Sequence, residues 1–374
     1  MNPTRRALLR GGASALAAGT VAGCLDDIDA TNADLETGYA AFFTLWDWGQ
    51  QVSGDAVDFE NPVGTGQPGH GWSPSGDLTR DIADAGAFVY FDTPEFSWAQ
   101  DIAATLETDY DTVAVIDGLE GLEGELLGWD HEADAGTHAH ETENDHSNDS
   151  HEDEGDHSND SHEDEGDHSD HSHDSEDGHG DETHDGHDHD RSSVDPHVWL
   201  DPVLAQDIVD TIASGLADAD PDNAGTYEEN AAAYTDDLAA LDQRFEDLID
   251  AADRQIAVFA GHDSFTYLQE RYGFEIHTPT GVSPQEPSNN DISATLELVD
   301  EEGIETILYS PFEDREGEYP PLVNTILRDT DATDAMPITH LSGTLARWQE
   351  RDWGYVEQME EINIPAFKKA LDAQ

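Results

Sequence analysis

The chain has 374 residues, with 86 Asp and Glu against 14 Lys and Arg, a formal net charge of -72 at pH 7, and one cysteine. This length accommodates one large or two medium domains. The charge excludes nucleic acid as a partner, because phosphates would meet like charge, and a single cysteine excludes intramolecular disulfides and multi-thiolate metal sites.

The opening, Thr4-Arg5-Arg6-Ala7-Leu8-Leu9-Arg10 followed by Gly11 to Thr20, is a charged start with a weakly apolar run too short to span a bilayer. It closes on Val21-Ala22-Gly23-Cys24. Residues 1–24 read as an export signal: the paired arginines resemble a twin-arginine signal, and Val-Ala-Gly-Cys resembles a lipobox whose Cys24 receives a lipid. The lipid would hold the chain at the outer face of the cell membrane, with residues 25–38 as a short polar tether.

From residue 39 onward, short β-rich runs alternate with helical patterns. Strands are predicted at 40–45, 87–91, 112–116, 256–260, 306–309 and 337–340, and helices near 77–85, 96–106, 202–216, 291–302, 320–328 and 353–371. Alternating βα units predict two open α/β domains, an N-terminal one over 39–221 and a C-terminal one over 253–374. Between them, 222–252 reads as one linking helix with Tyr227, Ala231, Tyr234, Leu238, Leu241, Phe245 and Leu248 at spacings of three or four. Its length of roughly 40 Å suits a strut joining two domains.

The N-terminal domain is interrupted at 131–192. His146 to Asp156 is repeated unchanged as His157 to Asp167, and a decayed third copy begins at His168. Nothing apolar lies between Thr142 and Ser193, so the tract cannot offset its ordering entropy and is predicted to be disordered. It holds 14 of the 19 histidines and 24 of the 86 acidic residues. A purely solvating tract needs only Asp, Glu and Ser, whereas histidines beside carboxylates make many weak sites for borderline metals. His138, His140, His146, His151, His157, His162, His168, His171, His173, His179, His184, His187 and His189 form this auxiliary capture set; a mere spacer is the plainer alternative. The remaining acidic excess covers segments that can form a core, and its self-repulsion is relieved by salt, which reads as adaptation to a very salty medium.

Five histidines lie outside the tract. His197 sits in Asp195-Pro-His-Val-Trp-Leu-Asp-Pro202, where prolines fix the backbone and carboxylates can orient the imidazole. His262 ends the apolar run Ile256 to Gly261 and begins a helix, the kind of strand end where open α/β sheets place ligands. His70 lies in the loop Gly66-Gln-Pro-Gly-His-Gly-Trp-Ser-Pro74, and His340 follows Met336-Pro-Ile-Thr339 at another strand end. A site built from such residues is nitrogen-rich, which suits zinc over the oxygen-preferring manganese or magnesium.

These segments resemble the cluster 9 family of periplasmic metal-binding proteins, in particular its zinc-specific branch. The resemblance is carried by Asp195 to Pro202, by His262-Asp-Ser-Phe-Thr-Tyr267 with Arg271-Tyr-Gly-Phe274, by Gln67-Pro-Gly-His70 with Ser73-Pro-Ser75, by Glu286-Pro-Ser288, and by the helix from Tyr227 to Leu241. It implies two α/β domains with the site in the cleft between them. It also implies that His70, His197 and His262 are zinc ligands, and that the chain works as the monomeric binding protein of an ABC permease and its ATPase. The family's fourth position is often Asp; here Thr339-His340-Leu-Ser-Gly-Thr344 occupies that stretch, and His340 is carried over as the fourth ligand. The first loop and Ser310 depart from the family pattern, and His277 matches no ligand position and reads as structural. Mn2+, Ni2+ and Co2+ stay open as alternative cargo. The alternatives in function are a tethered metal buffer or sensor without a transporter, and a zinc hydrolase, which the lack of HExxH, nucleophile-elbow and phosphate-loop motifs disfavours.

Overall fold

Short apolar runs that can be covered on both faces fold as parallel strands, and eight of them form two separate sheets in the computed structural model. The structure describes residues 35–67, 69, 72–110, 112–128, 194–280, 287–312 and 318–374. The predicted signal with Cys24, the tether up to residue 34, His70 and the tract at 131–192 lie outside these residues.

The first sheet comprises β1 (Thr37–Ala40), β2 (Asp58–Glu60), β3 (Ala87–Tyr90) and β4 (Ala114–Asp117), parallel and in the order β2-β1-β3-β4. The second repeats that order with β5 (Ile256–Phe259), β6 (Glu275–His277), β7 (Thr306–Tyr309) and β8 (Asp334–Pro337) as β6-β5-β7-β8. Both sheets therefore change winding direction beside their first strand, and ligands of open α/β sheets bind outside the strand carboxyl ends at such a point.

The helices are α1 (Phe43–Ser53), α2 (Leu78–Ala83), α3 (Ser97–Asp109), α4 (Pro202–Ala219), α5 (Ala224–Asp250), α6 (Thr266–Tyr272), α7 (Asn289–Glu301) and α8 (Pro321–Asp329). The last stretch carries α9 (Ala346–Gln349), then α10 (Tyr355–Gln358), a π-helical turn (Met359–Asn363) and α11 (Ile364–Ala370) in immediate succession. The long α5 buries the seven residues whose spacing defined its apolar stripe. It packs on α1 and α4 on one side and on α6, α10 and α11 on the other. One apolar core consequently runs from the first sheet through α4 and α5 to the second sheet. A smaller core around Val258, Ile307 and Val323 lies on the far side of β7. No helix among the described residues is long and apolar enough to cross a membrane.

Two predicted strands are corrected. Over 40–45, β1 ends at Ala40 and residues 43–45 belong to α1. A six-residue run with five apolar residues has no period that separates strand from buried helix, and Phe42, Phe43, Thr44 and Leu45 are all buried. The strand expected at 337–340 lies at Asp334–Pro337, which frees Thr339 and His340 for the loop beyond it. The helix expected to begin at His262 starts at Thr266. The short edge strands β2 and β6 carry too few apolar residues to announce themselves. β2 is marked instead by Phe59, whose ring lies against β1 so closely that a Cβ on Gly38 would stand 2.6 Å from it.

The base of the 131–192 insertion is closed by the fold itself. Gly128 and Val194 form an antiparallel bridge, and Asp195 N–H donates to the Leu127 carbonyl at 2.8 Å.

Candidate metal centre

His197, His262 and His340 come together in the cleft between the two sheets. The ring centroids of His197 and His262 are 6.1 Å apart, and those of His262 and His340 are 6.2 Å apart. His197 comes from the turn that leads into α4, His262 lies three residues past β5, and His340 lies three residues past β8. Both domains thus contribute. Zn–N bonds of about 2.0–2.1 Å would place the nitrogens of a tetrahedral site about 3.4 Å apart. With each ring centroid about 1.1 Å behind its nitrogen, the centroids of such a site would stand about 5 Å apart. The rings are somewhat wider than that, and among the described residues no three His, Cys, Asp or Glu side chains are closed around one point.

Each histidine has a hydrogen-bond partner two residues away in the chain. His197 Nδ1 lies 2.7 Å from Asp195 Oδ1, and the His197 backbone N–H donates to the same oxygen at 3.0 Å. Burial alone would push the Asp195 carboxyl up, but the His197 ring and its hydrogen bonds outweigh it and hold the group below the usual carboxylate range. An anionic Asp195 accepts a hydrogen bond from Nδ1–H, which leaves the Nε2 lone pair directed outward, the arrangement that orients a metal-binding imidazole. His262 Nε2 lies 3.0 Å from Ser264 Oγ. Burial first, and the His197 ring second, push His262 down to about 4, so its ring is neutral at physiological pH. His340 Nδ1 lies 2.9 Å from Ser342 Oγ, and its ring stacks on Phe312 at 5.5 Å.

The run Asp195 to Pro202 is fixed along its whole length. Tyr267 O–H donates to the Asp195 carbonyl at 2.9 Å while accepting from Leu127 N–H at 3.0 Å. Asp201 caps α4 through Val203 N–H at 2.8 Å, and its other oxygen receives Arg271 Nε at 2.8 Å and Nη2 at 2.7 Å from α6. Trp199 packs against Phe42, Phe91 and Phe96 and beside His197 at 5.1 Å. Its Nε1–H donates to the His340 carbonyl at 2.7 Å, and its own carbonyl accepts from Tyr355 O–H at 2.6 Å. The two ligand segments are therefore joined directly, backbone to side chain.

The segment around His340 is held by residues that nothing in its own sequence indicates. Asn363, at the end of the π-helical turn, donates to the Thr339 carbonyl and accepts from the Thr339 N–H, both at 2.8 Å. Leu341 is buried in left-handed backbone at φ 60, where a branched side chain is strained. Its carbonyl accepts from Thr44 Oγ1 at 2.6 Å. His277 is apart from this group: Thr295 Oγ1, which donates to the Asp291 carbonyl, accepts from its Nε2–H at 2.9 Å. The sequence reading missed Ser264, Ser342, Thr44 and Asn363. A signal existed for the two serines, because His262-Asp-Ser264 and His340-Leu-Ser342 repeat one spacing. None existed for Thr44 or Asn363.

Two parallel α/β domains joined by a helix, with imidazoles meeting at the strand ends between them, define a two-domain solute-binding protein. Residues 39–370 match the model of the family described as zinc-uptake complex component A, periplasmic, and the chain belongs to that family. It is 28% identical to the zinc-binding lipoprotein AdcA of Streptococcus pneumoniae over 336 residues, 89% of this chain and 55% of that protein. It is 29% identical to the high-affinity zinc uptake system protein ZnuA of Bacillus subtilis over 184 residues, 48% of this chain and 54% of that protein. The chain thus spans about half the length of these curated relatives. Its fold is similar to the Zn(II)-bound ZnuA-like domain of S. pneumoniae AdcA, with a TM-score of 0.63 at 23% identity, covering 91% of this chain and 100% of that domain.

Proposed function

We propose that this chain captures Zn2+ outside the cytoplasmic membrane and hands it to an ABC permease and its ATPase, with His70, His197, His262 and His340 as ligands. The observation that carries this reading is the meeting of three histidines from both domains, at centroid separations of 6.1 and 6.2 Å. It occurs in a family of zinc-uptake components whose relatives are named as zinc-binding lipoproteins. Neutral imidazoles favour Zn2+ over Mn2+, which is better served by carboxylate oxygen. Ni2+ and Co2+ accept the same donors and are the competitors to test. Cys24 carries the lipid, the chain acts as a monomer, and the domains divide at the helix 222–252. Because α5 is packed into both domains, release proceeds by small tilts and loop movement and not by wide hinge opening.

The histidine tract supplies this site and does not build it. The Gly128–Val194 bridge supports this reading, since it closes the fold beneath the insertion. The test is the metal content of mature protein with and without residues 131–192. One tightly held Zn2+ per chain is expected in both forms, with additional weakly held ions only when the tract is present. A tract-deleted chain that folds but holds no Zn2+ would show that the tract builds the site. Absence of a tight ion in both forms would remove the cargo reading altogether.

A further inference from the structure

Asp195 and Ser264 each partner one histidine, whereas the Ser342 hydroxyl touches two parts of the molecule at once. It lies 2.9 Å from His340 Nδ1, and it accepts from the Gly69 N–H at 3.1 Å across 273 residues of chain. Gly69 belongs to a loop of the N-terminal domain that is fastened to the same C-terminal segment at two further points. Gly66 N–H donates to the Thr344 carbonyl at 2.7 Å, and Thr65 Oγ1 donates to Gln349 Oε1 at 2.8 Å. The seating is tight: a Cβ at Gly69 would stand 2.7 Å from Phe42 Cβ and 2.9 Å from the Ser342 carbonyl oxygen. Ser342 and His340 are both buried, so water offers no easy substitute for either bond.

We propose that Ser342 is a positioning residue that couples the seating of the 64–69 loop to the orientation of His340. The proposal rests on the reading of His340 as a ligand. A hydroxyl has two lone pairs and one proton. With Gly69 N–H on one lone pair, the other accepts Nδ1–H of His340, and the ring then presents the Nε2 lone pair to the ion. When the ring proton is on Nε2 instead, the roles reverse and the hydroxyl donates to Nδ1. Binding an ion at Nε2 therefore asks Ser342 to turn from donor to acceptor towards His340 while it keeps Gly69. Loop and ligand share one oxygen, so lifting the loop withdraws the Gly69 N–H from it and frees the hydroxyl that orients the ring to turn back to donor.

The experiment is a competition between the full chain and a chelator strong enough to empty the tract's weak sites, with Zn2+ affinity and release rate read for each variant. Ser342→Ala is expected to weaken the tight site about 10- to 100-fold, the range for groups that orient a metal ligand. Ser342→Thr keeps the oxygen and is expected to stay within a few-fold of the parent. Because Ser342 acts through His340, Ser342→Ala should add little to His340→Ala in the double variant. Gly69→Ala approaches the same bond from the loop that also carries His70, so it should speed release in a His70→Ala background as well as in the parent. If His340→Ala binds as the parent does, the ligand reading has failed. If His340→Ala weakens binding while Ser342→Ala and Gly69→Ala leave it unchanged, or if the two losses multiply in the double variant, the coupling is wrong.

Discussion

The two segments that present His197 and His340 differ in the balance of near and distant residues that hold them. Asp195 to Pro202 draws much of its order from its own residues: two prolines, a carboxylate that binds its own histidine at 2.7 Å, and a second carboxylate that caps the helix it leads into. Tyr267, Arg271 and Tyr355 complete it from outside. Thr339 to Thr344 is held mostly from outside. Beyond the bonds of Thr339 and Ser342 within it, its donors and acceptors stand 24 residues away at Asn363, 141 at Trp199 and 297 at Thr44. The first segment can form its histidine–carboxylate bond and its helix cap from local chain alone. The second acquires its shape, including the strained backbone of Leu341, only once both domains are docked. On the proposed reading of His340 as a ligand, a side chain held in this way registers domain position, which suits the capture and release of an ion.

The sharpest way to break the comparison is to remove one ligand from each segment. Four-ligand structural zinc sites are worth about 10–16 kcal/mol, so a single ligand accounts for roughly 3 kcal/mol, or about 100-fold in affinity. His197→Ala is expected to lose that much or more, because Asp195 is then left buried without its partner. His340→Ala should lose less. Calorimetric or chelator-competition titration on the tract-deleted protein measures both, and equal losses would remove the asymmetry.

Next in size is the tie between the segments. Trp199→Phe keeps most of the packing against Phe42 and Phe96 but leaves the His340 carbonyl without its donor. A buried acceptor so stranded costs about 1–3 kcal/mol. We expect weaker Zn2+ binding together with a Tm lower by a few degrees. Thr44→Val, which removes only the donor to the Leu341 carbonyl, should lower Tm by less and act on ion release more than on affinity. A Trp199→Phe chain with parental affinity would mean that the segments are independent.

The comparison also explains what was legible in the sequence. The linking helix and its buried stripe, from Tyr227 to Leu248, follow from a single periodicity, and strands such as β7 coincide with apolar runs bounded by polar residues. Asp195 to Pro202 was legible for the same reason: its function is written in neighbouring residues. α1 was not, because Phe42, Phe43, Thr44 and Leu45 are all buried and show no period that separates strand from helix. Nor were Thr44, Asn363 and the left-handed Leu341, whose roles exist only through contacts between distant parts of the chain. His262-Asp-Ser264 and His340-Leu-Ser342 stand between these extremes. The spacing was visible, but only the coordinates show that the hydroxyl meets the ring.

The smallest expected effect is on stability, and it separates the cleft from the docked interface by pH. His262 is pushed down from 6.5 to about 4, chiefly by burial. Between those values the unfolded chain binds a proton that the folded chain refuses, so folding weakens as pH falls through 6.5. Asp47, on α1, moves the other way: burial raises it from 3.8 to about 6, against hydrogen bonds from Tyr355 N–H at 2.9 Å and Tyr234 O–H at 3.2 Å. Its neutral form suits the folded state, so that contribution is fully present below 3.8 and is lost as pH rises through 6. Lowering the pH of ion-free protein from 7 to 5.5 therefore sets two opposing terms against each other, each on the order of 1 kcal/mol. His277, lowered by burial, adds to the His262 side. The parent Tm should change little over this interval. Asp47→Asn can still accept from Tyr355 and Tyr234, and its Tm should fall as pH drops because the histidine term then acts alone. His262→Gln should show the reverse, with Tm rising towards pH 5.5. If both variants follow the parent curve, neither buried group sets the pH dependence, and the neutrality of His262 at working pH loses its support.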